Sequence, residues 1–236
     1  MDHEDWKGYL SLVIPLFNEE KNLLPLYTRL KEALKEYRGS YEIIFVDDGS
    51  TDHSYDILEE LSKKDETTKV IQLRGNQGKS SALEIGFQQA QGEIVITLDA
   101  DLQADPVDIP LFLEKLEEGF DLVSGWRNER RDDYWKIFSS FLFNKITAFI
   151  TGVNLHDFNC GYKAYRRDVL NQIELLPDFH RFIPVLAALQ GYSVGEIKVH
   201  HHPRFEGHSK YGLARYPAGF FNLITIIFLR KYATKP

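Results

Sequence analysis

The chain has 236 residues, 43% of them hydrophobic, and a formal net charge of −7, which describes an ordinary globular protein of one large domain, or one domain with an appendage. The single cysteine, Cys160, excludes an intramolecular disulfide and makes a reducing compartment the expectation, and the N-terminus Met1-Asp2-His3-Glu4-Asp5 lacks the basic and apolar regions of a secretory signal. Charge is uneven: residues 198–236 hold seven Lys/Arg against one acid, Glu206, so this basic end suits either an anionic surface or substrate or plain solvation.

Apolar runs alternate with helical patterns from Tyr9 onward. The pattern predicts a strand over 9–14, a helix over 20–37, a strand over 41–46, a helix over 52–64, a strand over 69–73, a helix over 78–91, a strand over 93–98, a helix over 106–118 and a strand over 121–124. That rhythm implies right-handed crossovers and a mostly parallel α/β sheet with helices on both faces. Ser50 or Thr51 is expected to cap the second helix, whose first-turn Asp52 and Asp56 suit its dipole. The second half is less regular, with a helix over 133–150, a short strand near 161–165, a helix near 181–190 and a strand near 192–199.

Residues 200–212 have few apolar side chains and two glycines and read as a mobile loop. Pro217 to Leu229 is apolar almost all round and ends in Arg230-Lys231; as a helix it spans only about 20 Å, short of the ~30 Å hydrocarbon core. Two readings are open: a terminal helix packed on the domain, or an interfacial helix at a bilayer surface or at the approach to spans outside this chain.

Two acidic doublets stand at the ends of apolar runs, Asp47-Asp48 after Ile43–Val46 and Asp99-Ala100-Asp101 after Ile94–Leu98. In an α/β fold such positions line the ligand crevice, where converging carboxylates repel unless a cation neutralises them. Asp99, Asp101 and Gln103 occupy alternate positions of a chain leaving a strand; their hard oxygens select Mg²⁺ or Mn²⁺, which in turn holds diphosphate oxygens. The competing reading is a pair of solvated turns. Asp47-Asp48-Gly49-Ser50-Thr51 also invites comparison with phosphatases of the haloacid dehalogenase type, but adjacent carboxylates point to opposite sides and cannot act as nucleophile and acid on one phosphate. One of the two is expected to accept from a nucleoside and the other to cap the turn. His200-His201-His202 puts two imidazoles on one side and one on the other with no thiol or carboxylate nearby in sequence, which argues against a histidine metal site. Cys160 reads as a packed thiol.

Val13-Ile14-Pro15-Leu16-Phe17-Asn18-Glu19-Glu20, Val46-Asp47-Asp48-Gly49-Ser50-Thr51-Asp52, Arg74-Gly75-Asn76-Gln77-Gly78-Lys79 and Asp99-Ala100-Asp101-Leu102-Gln103 resemble the inverting glycosyltransferases of family 2, which have the GT-A fold. Asp157-Phe158-Asn159-Cys160-Gly161-Tyr162-Lys163, His180-Arg181-Phe182-Ile183-Pro184 and Arg204-x-x-Gly207-x-Ser209-Lys210-Tyr211 resemble its polyprenyl-phosphate branch, typified by dolichol-phosphate mannose synthase. The resemblance covers roughly residues 9 to 215 in order.

It implies that Pro15, Phe17, Glu19 and Asp47 form the nucleoside pocket, with Arg74, Lys79, Arg204 and Lys210 also on the donor. It further implies that Asp99, Asp101 and Gln103 hold Mg²⁺ or Mn²⁺, and that Arg127, Arg131, Lys136 and Ser139 or Ser140 bind the acceptor phosphate. Arg130 and Arg131 lie among Glu129, Asp132 and Asp133, so a solvated mixed-charge turn is the alternative there. Asp157 is placed near the sugar and acceptor; because a phosphate monoester is already largely dianionic at pH 7, it orients substrates or metal rather than taking a proton. Residues 1–212 would be the catalytic domain and 213–236 a juxtamembrane helix, followed by transmembrane helices in membrane-bound relatives. The implied partners are a nucleotide sugar (GDP- or UDP-linked), a polyprenyl phosphate and the cytoplasmic face of a membrane, with no nucleic acid. Transfer to a glycan hydroxyl, or a non-catalytic nucleotide-sugar-binding scaffold, are the alternatives.

Overall fold

Strands β1 (Leu10–Leu16), β2 (Tyr41–Asp47), β3 (Thr68–Gln72), β4 (Ile94–Thr97), β5 (Leu122–Trp126), β6 (Lys163–Arg166) and β7 (Val194–Lys198) form one sheet in the order β3-β2-β1-β4-β6-β5-β7. The structure, a computed structural model, describes residues 8–128 and 134–203 together with 222, 224, 225 and 228, and over 134–139 it gives the backbone alone. Helices α1 (Glu20–Ala33), α2 (Ser54–Lys64), α3 (Lys79–Gln89), α4 (Ile109–Glu117), α5 (Tyr134–Thr151), α6 (Arg167–Asn171) and α7 (Ile183–Leu189) connect and cover the strands.

The central strands are continuous apolar runs because both of their faces are covered. Alternate residues feed two cores. Leu10, Leu12, Ile14, Ile43, Phe45, Ile94 and Ile96 pack with Leu23, Leu26 and Leu30 of α1, Leu58 of α2 and Phe112 and Leu116 of α4. Val13, Ile44, Val46 and Val95 pack instead with Ala82 and Leu83 of α3 and Ile183 and Val185 of α7. The two-residue period of a strand thus divides one run between two helix layers.

β1, β2, β3 and β4 pair in parallel, as do β5 and β7, whereas β6 runs antiparallel to both β4 and β5. Its reversed direction positions the site. Lys163, the first residue of β6, sits opposite Thr97 and Ser124, so the segment before it arrives at the same sheet edge as the carboxyl ends of β4 and β5. Asp157 to Gly161 are thereby brought to Asp99 and Arg127.

Local boundaries differ from the expected ones in informative ways. β2 extends through Asp47, one residue further than the apolar run. Neither Ser50 nor Thr51 caps α2: the helix starts at Ser54, and it is Asp52 whose Oδ1 accepts from the Ser54 N–H at 3.0 Å. Ser50 is recruited by Asp47 and Asn18 instead. The helix expected over 106–118 begins as a 3₁₀ turn, Pro106–Asp108, with Asp105 accepting from the Val107 N–H. Residues 204–212 lie outside the described residues; of the helix expected over Pro217–Leu229, positions 222, 224, 225 and 228 are helical and the rest also lie outside. Among the described residues no helix is long and apolar enough to cross a membrane.

Candidate active site

Three loops meet beyond the carboxyl ends of β1, β2 and β3. Asn18 adopts a left-handed conformation (φ 52°), its N–H donating to Ser50 Oγ (2.8 Å) and its Oδ1 accepting from the Thr51 N–H (2.7 Å). Asp47 is fully buried; its Oδ1 accepts from the Ser50 N–H at 3.0 Å and from the Ser50 hydroxyl, and its Oδ2 accepts from Gln72 Nε2. Asp48 accepts from the backbone N–H groups of Gln77 (2.7 Å) and Gly78 (2.9 Å), which fixes the start of α3. Gly49 (φ 72°) crosses the third loop so closely that a Cβ there would lie 2.5 Å from the Gly75 backbone.

These loops wall a cavity of about 290 Å³ lined by Pro15, Phe17, Glu19, Asp48, Lys79 and His180, with Asp99 and Asp101 at its end. Its wall combines a proline, an aromatic ring and carboxylates, which suits a flat polar heterocycle attached to a ribose. Glu19 Oε2 is oriented by Asn22 Nδ2 at 2.6 Å, and His180 Nδ1 lies 3.0 Å from Ser80 Oγ. The carboxylate of the second doublet residue, Asp48, lines this wall, whereas Asp47 lies beneath it. Arg74 is exposed.

At the far end, Lys79 Nζ lies 2.5 Å from Asp99 Oδ1. Burial pushes the Asp99 carboxyl up, but Lys79, with Arg127 and Lys163 behind it, more than offsets this and holds it below the usual carboxylate range. Leu102, buried, takes a left-handed conformation (φ 61°) between Asp101 and Gln103, a strained turn held in place by the core. A second cavity of about 30 Å³ is lined by Asp99, Asp101, Gln103, Arg127 and His201. Two carboxylates and an amide around a space of ion size fit a hard divalent cation. Among the described residues no group of three or more His, Cys, Asp or Glu side chains is placed to hold a metal by itself, so such a cation would take its remaining oxygens from water or a substrate phosphate.

The segment before β6 supplies the opposite charge. Arg127 Nε donates to Asp157 Oδ2 (2.7 Å) and a terminal nitrogen donates to Oδ1 (3.1 Å), a bidentate pair. Burial pulls the guanidinium down, but Asp157 holds it firmly charged. Lys163 is buried and donates to the Cys160 carbonyl oxygen; burial, and Lys79 nearby, lower its ammonium to about 8. Cys160 is buried too, and burial pushes its thiol up, which suits a packing role. Gly161 leaves no room for a side chain: a Cβ would lie 2.6 Å from both Asp99 carboxylate oxygens.

The sheet therefore unites Pro15, Phe17, Glu19, Lys79, Asp99, Asp101, Gln103, Arg127 and Asp157 along one edge. Arg131, Arg204 and Lys210 lie outside the described residues, as do the side chains of Lys136 and Ser139; Ser140 is half-buried on α5. The sequence placed Asp47 in the nucleoside pocket and left the turn to its neighbour, whereas Asp48 is the one on the cavity wall; no role was assigned to the Ser80–His180 pair or to buried Lys163. It also did not join the histidine run to the Asp-x-Asp turn. His200 Nδ1 pairs with Asp108 Oδ1 and His202 Nε2 with Asp105 Oδ2, both at 2.7 Å, while His201 bridges to Ala104. The carboxylates at positions 105 and 108, three apart, were the available signal.

A mostly parallel sheet with helices on both faces and an Asp-x-Asp at the carboxyl end of a central strand is the arrangement of GT-A glycosyltransferases. Glucosyl-3-phosphoglycerate synthase from Mycobacterium tuberculosis, crystallised with Mn²⁺, uridine diphosphate and glucosyl-3-phosphoglycerate, shares the fold with a TM-score of 0.71 at 19% identity, over 94% of this chain and 80% of that one. The mannosyltransferase PcManGT from Pyrobaculum calidifontis, in complex with GDP-Man and Mn²⁺, superposes with a TM-score of 0.67 at 17% identity, over 99% of this chain and 66% of that one.

Residues 11–174 match Glycosyl transferase family 2, and the chain belongs to that family of enzymes. It is similar to dodecaprenyl-phosphate galacturonate synthase of Rhizobium johnstonii, with 37% identity over 96% of this chain and 69% of the relative. It is likewise similar to undecaprenyl-phosphate 4-deoxy-4-formamido-L-arabinose transferase of Shewanella sediminis, with 38% identity over 97% and 67%, and of Pseudomonas aeruginosa, with 39% over 92% and 64%. The chain thus spans about two thirds of the length of these relatives.

Proposed function

We infer that this chain transfers a sugar, with inversion at the anomeric carbon, from a GDP- or UDP-sugar to a polyprenyl phosphate at the cytoplasmic face of a membrane. The observation that carries this reading is the junction at Asp99 and Asp101. A nucleoside-sized cavity ends there against two carboxylates, and Arg127 lies just beyond them. The names of the Rhizobium and Shewanella relatives supply the acceptor class, a polyprenyl phosphate.

Pro15 and Phe17 offer flat contact to the base, while Glu19 and the wall carboxylate Asp48 accept from base or ribose donors, and buried Asp47 supports that wall from beneath. Asp99, Asp101 and Gln103 would hold Mg²⁺ or Mn²⁺, which when bound neutralises the departing diphosphate; the neighbours from M. tuberculosis and P. calidifontis were crystallised with Mn²⁺. The attacking phosphate oxygen carries its charge already, with a second pKa of ~6, and needs no base. Asp157 is a positioning residue that presents the Arg127 guanidinium to the acceptor phosphate. Arg131, Lys136, Ser139, Ser140, Arg204 and Lys210 complete the anion site.

Residues 1–212 form the catalytic domain and 213–236 a juxtamembrane helix. On α5 the exposed Phe141, Leu142, Ile146 and Phe149 give an apolar face suited to a bilayer surface. The test is to incubate the chain with a panel of nucleotide sugars, Mg²⁺ or Mn²⁺ and a short polyprenyl phosphate. A lipid-linked sugar detected by mass is the expected result; transfer to a glycan hydroxyl alone, or no turnover of any donor, overturns the reading.

A further inference from the structure

We propose that Glu196 is a positioning residue for the acceptor: it fixes the His156-Asp157 backbone from which the Arg127–Asp157 pair is built, and thereby sets how tightly the acceptor phosphate binds. This rests on the reading of Arg127 as the contact to that phosphate and goes beyond it by assigning the alignment of the contact to β7, the last strand of the sheet.

Between the end of α5 at Thr151 and the start of β6 at Lys163 the chain forms neither helix nor strand, so its backbone N–H groups need acceptors from elsewhere. Two consecutive ones, those of His156 and Asp157, converge on a single oxygen, Glu196 Oε1, at 2.9 and 3.1 Å. The other oxygen, Oε2, lies 2.7 Å from His156 Nδ1, and because a carboxylate only accepts, that ring nitrogen is the donor. One side chain, 12% exposed, thus holds two N–H groups and an imidazole. It stands on β7 opposite Ser124 of β5, the strand that leads directly to Arg127.

The peptide unit joining His156 to Asp157 is gripped at both ends. Its N–H donates to Glu196, and its carbonyl oxygen accepts from Asn144 Nδ2 of α5 at 2.7 Å. Trp126, the residue before Arg127, stacks on the His156 ring with centroids 4.1 Å apart and planes 14° from parallel. The root of Asp157 is therefore tied to β7, α5 and β5 at once. Its carboxylate, almost fully buried, is bidentate to Arg127, a geometry that tolerates little displacement, so the guanidinium follows the carboxylate and points its remaining N–H donors in one direction. Without Glu196 both charges remain but their orientation is released. Donor binding should not follow, because neither Arg127, His156 nor Asp157 lines the large cavity.

The test is steady-state transfer by the whole chain, varying first a short water-soluble polyprenyl phosphate and then the nucleotide sugar that the wild-type chain turns over. Glu196→Leu should raise the acceptor KM about tenfold or more and leave the donor KM within about twofold. Glu196→Gln should stay within about threefold of wild type for both substrates, since its amide oxygen can still accept from the two N–H groups and its amide nitrogen can donate to the other tautomer of His156. Thermal unfolding establishes that each variant is folded, and Glu196→Ser, too short to hold both N–H groups, replaces Glu196→Leu if the latter is not. An acceptor KM that is unmoved in Glu196→Leu, donor and acceptor KM rising together, or Glu196→Gln losing the acceptor as Glu196→Leu does, overturns the proposal and leaves the polyprenyl-phosphate reading standing. No transfer to the prenyl phosphate by the wild-type chain with any donor overturns both.

Discussion

Along the crevice edge, the two halves of the sheet hold their carboxylates differently. In the parallel half, Asp47 and Asp48 are held by the neutral donors Ser50, Gln72, Gln77 and Gly78, mostly backbone N–H groups. Where β6 reverses direction, Asp99 and Asp157 are matched instead by the side-chain cations Lys79 and Arg127. An acid bonded to backbone is part of the scaffold and shapes a loop. An acid paired with a side-chain cation can exchange that partner for a ligand, and the chemistry is assigned to this second set.

The sharpest way to break that division is to substitute one acid from each set. Asp99→Asn should lower transfer about a hundredfold or more while leaving the unfolding midpoint nearly unchanged. Asp48→Ala should instead cost about 2–3 kcal/mol of stability in denaturant titrations, because two N–H groups lose their acceptor. Equal stability losses in both variants would erase the distinction.

Arg127→Met should destabilise by about 3 kcal/mol as well as reduce transfer, since it strands the buried Asp157 carboxylate. The double variant Arg127→Met/Asp157→Leu should regain much of that stability but none of the activity, a non-additivity that a double-mutant cycle measures. Gly161→Ala, which presses on Asp99, should cut transfer about tenfold through kcat rather than the donor KM.

Lys163 gives a pH signature with a definite sign. Its folded value of about 8 lies below the model-compound value of 10.5, so at higher pH the folded chain sheds a proton that the unfolded chain still binds. Its contribution to stability therefore rises with pH from about 8 toward 10.5 and is flat below 8. Lys163→Met should lose that rise between pH 8 and 9.5 in denaturant titrations. Above pH 10 the half-buried Tyr37 and the buried Tyr162 and Tyr165 act in the opposite sense, because burial pushes their phenols up. The smallest expected effect lies farthest from the chemistry. Phe149→Glu, at a side chain 89% exposed, should reduce sedimentation with anionic vesicles several-fold and leave turnover of a water-soluble prenyl phosphate unchanged.

The parallel half was legible in the sequence because strands covered on both faces are nearly continuous apolar runs, and acids placed just past such runs mark the crevice edge. Its finer detail depended on a single residue. β2 runs one position beyond its apolar stretch, so Asp47 turns inward with the strand and Asp48 becomes the cavity carboxylate. The direction of β6 was not legible. A four-residue strand carries no mark of its orientation, and the excursion from 127 to 162 that sets it is governed by tertiary packing. Without that direction, neither the bidentate Arg127–Asp157 pair nor Lys163 under the site can be read from spacing. The pairing of the histidine run with Asp105 and Asp108 was not legible, because it required knowing that the exit from β7 lies beside the Asp-x-Asp turn.

The central claim is that Asp99 and Asp101 grip a cation that in turn holds a nucleotide's diphosphate. Anomalous diffraction at the manganese edge, from crystals of the chain grown with Mn²⁺ and UDP or GDP, addresses it directly. The account predicts a single strong peak within ligand distance of Asp101 and Asp99, next to the diphosphate. A peak on the histidines at 200–202 with none at Asp101, or a well-ordered nucleotide diphosphate with no manganese beside it, would contradict it.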